Sequence, residues 1–328
     1  MTVISRRRFL ERCTASLVAA SGLAAPAIAQ VAYPNRPIKF VVPAPPGSRT
    51  DIAARIFAGS LQRDLGQPFE IVNPDLPPAM AYATLASAPA DGYTIGVMAS
   101  DIAIMHWRGV TALTPKDFTS VALFGEDPAG IHVRADAPWQ NAKQFIDDLR
   151  GGKKLTASST PKGGIWHLST VGLLAALGLT ADKMPWTPSP NPAAALEDLS
   201  LGAFDAIVCS VPEVRATPSA RQIKTLAVMA DKRSPRFGDV PTLKEAAGIA
   251  YTSGNWRGLA GPNGLPADVA LVLATAAKKT WGNPDYQGLM RRRGFGAVWA
   301  QGPEFGKYAD AHDKRMGDAL KAAGMLTS

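Results

Sequence analysis

Ile38-Lys39-Phe40-Val41-Val42-Pro43-Ala44-Pro45-Pro46-Gly47-Ser48-Arg49-Thr50-Asp51 is the most informative stretch of this chain. Residues 38–42 are mostly β-branched and aromatic and read as a buried strand, which the Pro/Gly cluster ends. Thr50 or Asp51 is placed to cap a helix whose apolar residues Ile52, Ile56, Phe57, Leu61 and Leu65 share one face. A strand, a Gly-containing loop and a helix N-terminus bring free backbone N–H groups and the positive end of a helix dipole to one point. That geometry suits a carboxylate or another small anion, and it equally describes an ordinary βα turn.

Upstream, Ser5-Arg6-Arg7-Arg8-Phe9-Leu10 sets paired arginines before apolar residues, and residues 15–29 are small, apolar and uncharged. Ala27-Ile28-Ala29 meets the small-x-small requirement of signal peptidase. The pattern predicts a cleaved twin-arginine export signal over 1–29, a mature start near Gln30 and a periplasmic location. The apolar run falls short of the ~20 residues of a membrane span, and no later segment approaches that length. Cys13 stands among charges and not after a small-residue lipobox, so it is not read as a lipid anchor.

The formal net charge of the whole chain is +8, of which Arg6, Arg7, Arg8 and Arg12 against Glu11 supply +3, leaving +5 beyond the signal. No basic stripe with interleaved aromatics stands out, so no nucleic-acid partner is expected. Arg291-Arg292-Arg293 reads as the solvated end of a helix. Cys209 is the only cysteine beyond the signal, which rules out an internal disulfide there, and its strand-like setting predicts a buried, inert thiol.

Elsewhere the patterns predict strands over 95–98, 205–209 and 226–229, and helices over 141–150, 166–177, 192–201, 267–281, 284–293 and 303–323. Strands alternating with helices argue for an α/β fold with parallel sheets flanked by helices. About 300 residues beyond the signal correspond to roughly two domains. The Pro/Ser/Thr-rich segment 185–192 reads as a surface loop.

Enzymatic motifs are sparse. His106, His132, His167 and His312 form no HExxH or metal-spaced cluster, and neither a Gly-x-Ser-x-Gly elbow nor a Walker A loop occurs. No catalytic residue, metal or cofactor is therefore expected. His167 reads as a structural histidine; a Ser–His pair with Ser158 or Ser159 would lack an orienting third group, and a hydrolase using it is the alternative of a different class.

Tyr33-Pro34-Asn35-Arg36-Pro37-Ile38 running into Pro45-Pro46-Gly47-Ser48-Arg49-Thr50-Asp51 resembles the opening of the tripartite tricarboxylate transporter substrate-binding proteins, the Bug family. Asp91-Gly92-Tyr93-Thr94, Lys116-Asp117-Phe118-Thr119, Lys232-Arg233-Ser234-Pro235, Asp239-Val240-Pro241-Thr242-Leu243 and Trp256-Arg257-Gly258-Leu259 follow in the family's order and spacing. The resemblance implies a two-lobed periplasmic binding protein fold (type II-like), each lobe a sheet flanked by helices, joined by crossing strands. The expected lobes are 33–127 plus 253–328, and 128–252. It implies a monomeric receptor capturing a small organic carboxylate and delivering it to integral-membrane transporter subunits, or presenting it to a membrane sensor kinase. Two loops would grip one carboxylate from opposite lobes, the first over 46–51 and the second over 158–168.

The ligand-binding residues expected on this basis are Gly47, Ser48, Arg49, Thr50, Asp51, Ser159, Thr160, Gly163, Gly164, His167, Trp186 and Asp205. The chain also departs from the family. Ser48 and Arg49 follow Gly47 where the family carries Gly-Gly, and Gly164 stands at a position where the family has a hydroxyl. Asn73-Pro74-Asp75-Leu76-Pro77-Pro78-Ala79-Met80-Ala81 replaces a Gly-rich run. Fewer backbone donors predict a monocarboxylate held by Ser48, Thr50 and the Gly163 and Gly164 amides. Its apolar or aromatic body would lie against Met80 and a tryptophan, Trp186 or Trp256.

Overall fold

A computed structural model describes residues 33–73, 77–296 and 298–326, so the export signal, Asp75 and Leu76 lie outside the described residues. The strands are β1 (Ile38–Val41), β2 (Phe69–Val72), β3 (Thr94–Ala99), β4 (Phe118–Arg134), β5 (Ala157–Ser158), β6 (Trp186–Thr187), β7 (Ala206–Ser210), β8 (Ile223–Val228), β9 (Gly254–Pro262) and β10 (Ala300–Gln301). The helices begin with α1 (Arg49–Leu65), α2 (Pro78–Ala86), α3 (Ile102–Met105), α4 (Ala142–Arg150), α5 (Ile165–Ala176) and α6 (Pro192–Ser200). They continue with α7 (Val211–Ala216), α8 (Leu243–Ala247), α9 (Ala267–Gly282), α10 (Pro284–Arg292) and α11 (Pro303–Ala322).

Two sheets share one strand. In the first, β2, β1 and β3 run parallel, and β9 and β4 continue the sheet antiparallel. In the second, the far half of β4 pairs antiparallel with β7 and β8, and β5 and β6 add to β7 in parallel. The sheets are thus mixed, a correction to the parallel sheets read from strand–helix alternation. The antiparallel pairs belong to β4 and β9; β4 runs from one sheet into the other, and the chain returns just before β9.

The switch of partner on β4 is sharp. Asp127 pairs with Asn255 and Pro128 with Gly254, whereas Ala129 already pairs with Ser210. Pro128, with no N–H to offer either ladder, stands at the crossing. The chain returns beside it: Ala129 donates its N–H to Ser253 O at 2.9 Å, and Ser253 donates to Met229 O at 3.0 Å.

Each lobe has its own core. Phe40, Phe57, Val97, Phe124 and Leu259 anchor the first, and Ile131, Phe145, Leu174, Leu196 and Val208 the second. A smaller cluster joins the lobes: Leu168 and Val171 of α5 pack on Met316, Ala319 and Leu320 of α11 and on Ile104. Segment 185–192 is more than a surface loop, for Trp186 lies in β6 and is buried with Ser189, and Asn191 caps α6. Cys209 is a buried free thiol, and burial pushes its pKa well up, which matches an inert core role.

Candidate functional site

Between the lobes lies a cleft of about 560 Å³, within the range of small-molecule sites. Two helix N-termini converge on it. The first is that of α1, capped by Ser48 rather than by Thr50 or Asp51, because Ser48 has the extended backbone of an N-cap and its Oγ accepts the Asp51 N–H. Helix geometry leaves the N–H groups of Arg49 and Thr50 without intrahelical acceptors, and both residues line the cleft.

Asp51 works beneath this loop. Its Oδ2 accepts the Gly47 N–H at 2.8 Å, and its carboxylate binds Arg55 Nε at 2.9 Å and Asn73 Nδ2 at 2.8 Å. Burial pushes its pKa up, but hydrogen bonds from Arg55, Gly47 and Asn73 outweigh this and hold the carboxyl below the usual range. Gly47 has φ +77°, the left-handed conformation that lets the loop turn into the helix. Gly47 and Asp51 thus shape the loop and do not line the cleft, whereas Ser48, Arg49 and Thr50 do.

The second N-terminus is that of α5, with Gly164 as N-cap. Here the donors differ from expectation. Gly163 N–H donates to His167 Nδ1 at 3.1 Å and Gly164 N–H to Pro161 O at 3.1 Å, so neither amide remains for a ligand. The N–H groups left over by helix geometry belong to Ile165 and Trp166, which line the cleft. Thr160 also lines it, and its buried Oγ1 has no protein partner. A Cβ built at Gly164 would lie 2.9 Å from that Oγ1, so the Thr160 hydroxyl occupies the space a side chain at 164 would need.

His167 and Trp186 stand behind this loop. Trp186 Nε1 donates to Thr160 O at 2.8 Å, and the two rings meet edge to face with centroids 5.0 Å apart. Burial, and then the Lys162 and Arg108 charges, lower the His167 pKa to about 4, which keeps Nδ1 free to accept the Gly163 N–H. The Ser158 and Ser159 hydroxyls are buried without partners, so neither forms a Ser–His pair with His167. Asp205 lies at the entry to β7, where its Oδ2 accepts Thr156 N–H and Oγ1 at 2.7 and 2.8 Å; it is not among the cleft-lining residues. Nor are Met80, which is half exposed on α2, or Trp256, which is fully buried against Phe305. The apolar wall consists instead of Ile104, Met105 and Trp166.

Sequence reasoning missed the floor. Asp127 Oδ2 accepts from Arg49 Nε at 3.1 Å, Arg49 Nη2 at 3.0 Å and Arg257 Nη1 at 3.0 Å. Arg49 also lies over the Phe295 ring at 4.3 Å and donates to Gly294 O. Arg257 Nε donates to Thr50 Oγ1 at 3.2 Å, tying the floor to the first loop. Asp101 and Glu213 add two carboxyls whose pKa values burial raises, against hydrogen bonds from Tyr82 and Ser210 respectively. The three arginines of the cleft, Arg49, Arg108 and Arg257, therefore face one firmly paired carboxylate and two that burial biases toward neutrality. Such a cavity favours an anion.

Residues 53–325 match the family described as Tripartite tricarboxylate transporter family receptor. A TctC solute binding protein from Polaromonas is 33% identical, with a TM-score of 0.80 covering 88% of this chain and 99% of that one. Rpa4515 of R. palustris, solved with adipate, is 26% identical, with a TM-score of 0.72 covering 90% and 99% of the two chains. MatC of Rhodopseudomonas palustris, solved with bound malate, is 26% identical, with a TM-score of 0.66 covering 88% and 100%.

Proposed function

Because the chain belongs to the tripartite tricarboxylate transporter family of receptors, we propose that it is a periplasmic, monomeric receptor that closes its lobes on a small organic carboxylate. It then hands that solute to integral-membrane transporter subunits. The observation that carries this reading is the cleft itself, in which two helix N-termini from opposite lobes meet beside the unpartnered Thr160 hydroxyl and an arginine-rich floor. Adipate and malate in the similar proteins support a carboxylate as the solute class. The apolar wall of Ile104, Met105 and Trp166 supports an apolar body on it.

The lobes divide at 33–127 plus 253–328 against 128–252, a boundary supported by the partner switch of β4 after Pro128 and the return at Ser253. Export through the twin-arginine pathway rests on Arg6-Arg7-Arg8 and the small-residue cleavage pattern. Among the described residues no helix is long and apolar enough to cross a membrane. Calorimetry with short aliphatic and aromatic carboxylates tests the receptor reading. Saturable binding of at least one, recovered intact after prolonged incubation, is expected; binding of none, or turnover of the bound acid, would overturn it.

A further inference from the structure

The ion pair at the cleft floor is incompletely satisfied, and its two leftover atoms are chemically opposite. Asp127 and Arg257 are each 2% exposed, both line the cleft, and they sit side by side because β4 pairs with β9 in the register Asp127 to Asn255. Asp127 Oδ2 is fully used by Arg49 and Arg257. Arg257 Nε is used by Thr50, and Nη1 by Asp127 and Asn255 O. What remains is Asp127 Oδ1, an acceptor, and Arg257 Nη2, a donor, both buried without a protein partner. Each shares its carbon with an atom of the ion pair, and both residues line the cleft.

The demands of these atoms select among ligand groups. A second carboxylate would satisfy Nη2 but set its charge against Oδ1, and an ammonium would do the reverse. An alkyl group would satisfy neither and leave two buried polar atoms unpaired. A hydroxyl donates one hydrogen bond and accepts others, so it alone among these answers both atoms. We propose that Asp127 and Arg257 form a hydroxyl subsite and that the solute is a hydroxylated carboxylate. Its carboxylate lies at the α5 N-terminus beside Thr160, and its hydroxyl lies between Arg257 Nη2 and Asp127 Oδ1. This rests on the receptor reading, and the family does not decide it, since adipate lacks a hydroxyl and malate carries one.

The test is calorimetry of the protein with three matched pairs: propionate and lactate, succinate and malate, phenylacetate and mandelate. The hydroxylated member should bind about tenfold tighter or more in every pair that binds, the scale of a charge-assisted hydrogen bond. Equal affinity within the binding pairs, or tighter binding of the unhydroxylated members, overturns the subsite and leaves the receptor reading standing. Failure of all six acids to bind overturns both. Arg257→Lys keeps the charge but removes Nη2, and should bring the affinity ratio within a pair toward one. A ratio that stays at its original value in a folded variant overturns the assignment to Arg257. If that variant does not fold, the matched pairs on the unaltered protein still decide.

Discussion

Asp127 Oδ2 holds two guanidinium groups at once, and the charge balance of the cleft rests on it. Removing one partner of a buried ion pair typically costs about 3–5 kcal/mol, because the other charge stays buried without compensation. Asp127→Ala should lower stability by about that amount in urea unfolding, and Arg49→Ala by less, since Arg49 is 26% exposed and Arg257 remains. A loss under about 1 kcal/mol for Asp127→Ala would show that the arginines find other partners. His312 gives a prediction in pH. It is 1% exposed, edge-on to Trp256 at 5.8 Å, and burial lowers its pKa to about 3 from 6.5. The unfolded chain takes up this proton below 6.5 and the folded chain does not. The resulting stability is therefore complete above pH 6.5 and is lost as pH falls toward about 3. His312→Asn should make the fall in stability between about pH 6.5 and 5 shallower by about 1 kcal/mol per pH unit, read from urea midpoints. An unchanged slope would place the effect elsewhere.

The loop before α5 shows what a single element contributes. Gly163 has φ +78°, and a Cβ there would lie 3.0 Å from Arg108 Nε of the facing lobe. Gly163→Ala should cost about 1–2 kcal/mol through the left-handed backbone alone. It should also weaken solute binding by displacing the Arg108 side chain that lines the cleft, which thermal unfolding and calorimetry on one sample would separate. Native stability with native affinity would contradict both parts. Helices α1, α4, α5, α6 and α9 to α11 were legible in the sequence because capping residues, Pro at the first turn and Gly after the last turn bracket apolar periodicity. Strands β4 and β9 were not. Gly125, Pro128 and Gly130 break the alternation of β4, which shifts register against β9 at Gly125 and changes partners after Pro128, and β9 opens on a glycine packed against Asp127 O. The candidate site divided similarly. Ser48, Thr50 and Thr160, expected from the resemblance to the family's two loops, line the cleft, whereas Asp127 and Arg257 meet only through pairing between strands far apart in sequence.

At the scale of the molecule, the lobes meet where β4 and the returning chain at Ser253 cross and along the apolar contact of α5 with α11. On the proposed reading, closure on a solute would be rotation about this double crossing, with the α5–α11 contact as a bearing surface. Addition of a saturating carboxylate should reduce the radius of gyration in solution scattering, and Trp166 fluorescence should shift with it. Full occupancy by calorimetry with an unchanged scattering profile would contradict the hinge. The place of β9 has a further consequence, for the order in which the chain is made. It lies between β3 and β4 in the first sheet yet follows the whole second lobe in sequence. During synthesis β3 and this half of β4 therefore emerge with open edges and cannot close on each other, whereas the strands of the second lobe are all present before β9 appears. A chain truncated before Gly254 would carry every strand of the second lobe beside an unfinished first one, with the β3 and β4 edges that β9 covers left bare as targets for aggregation.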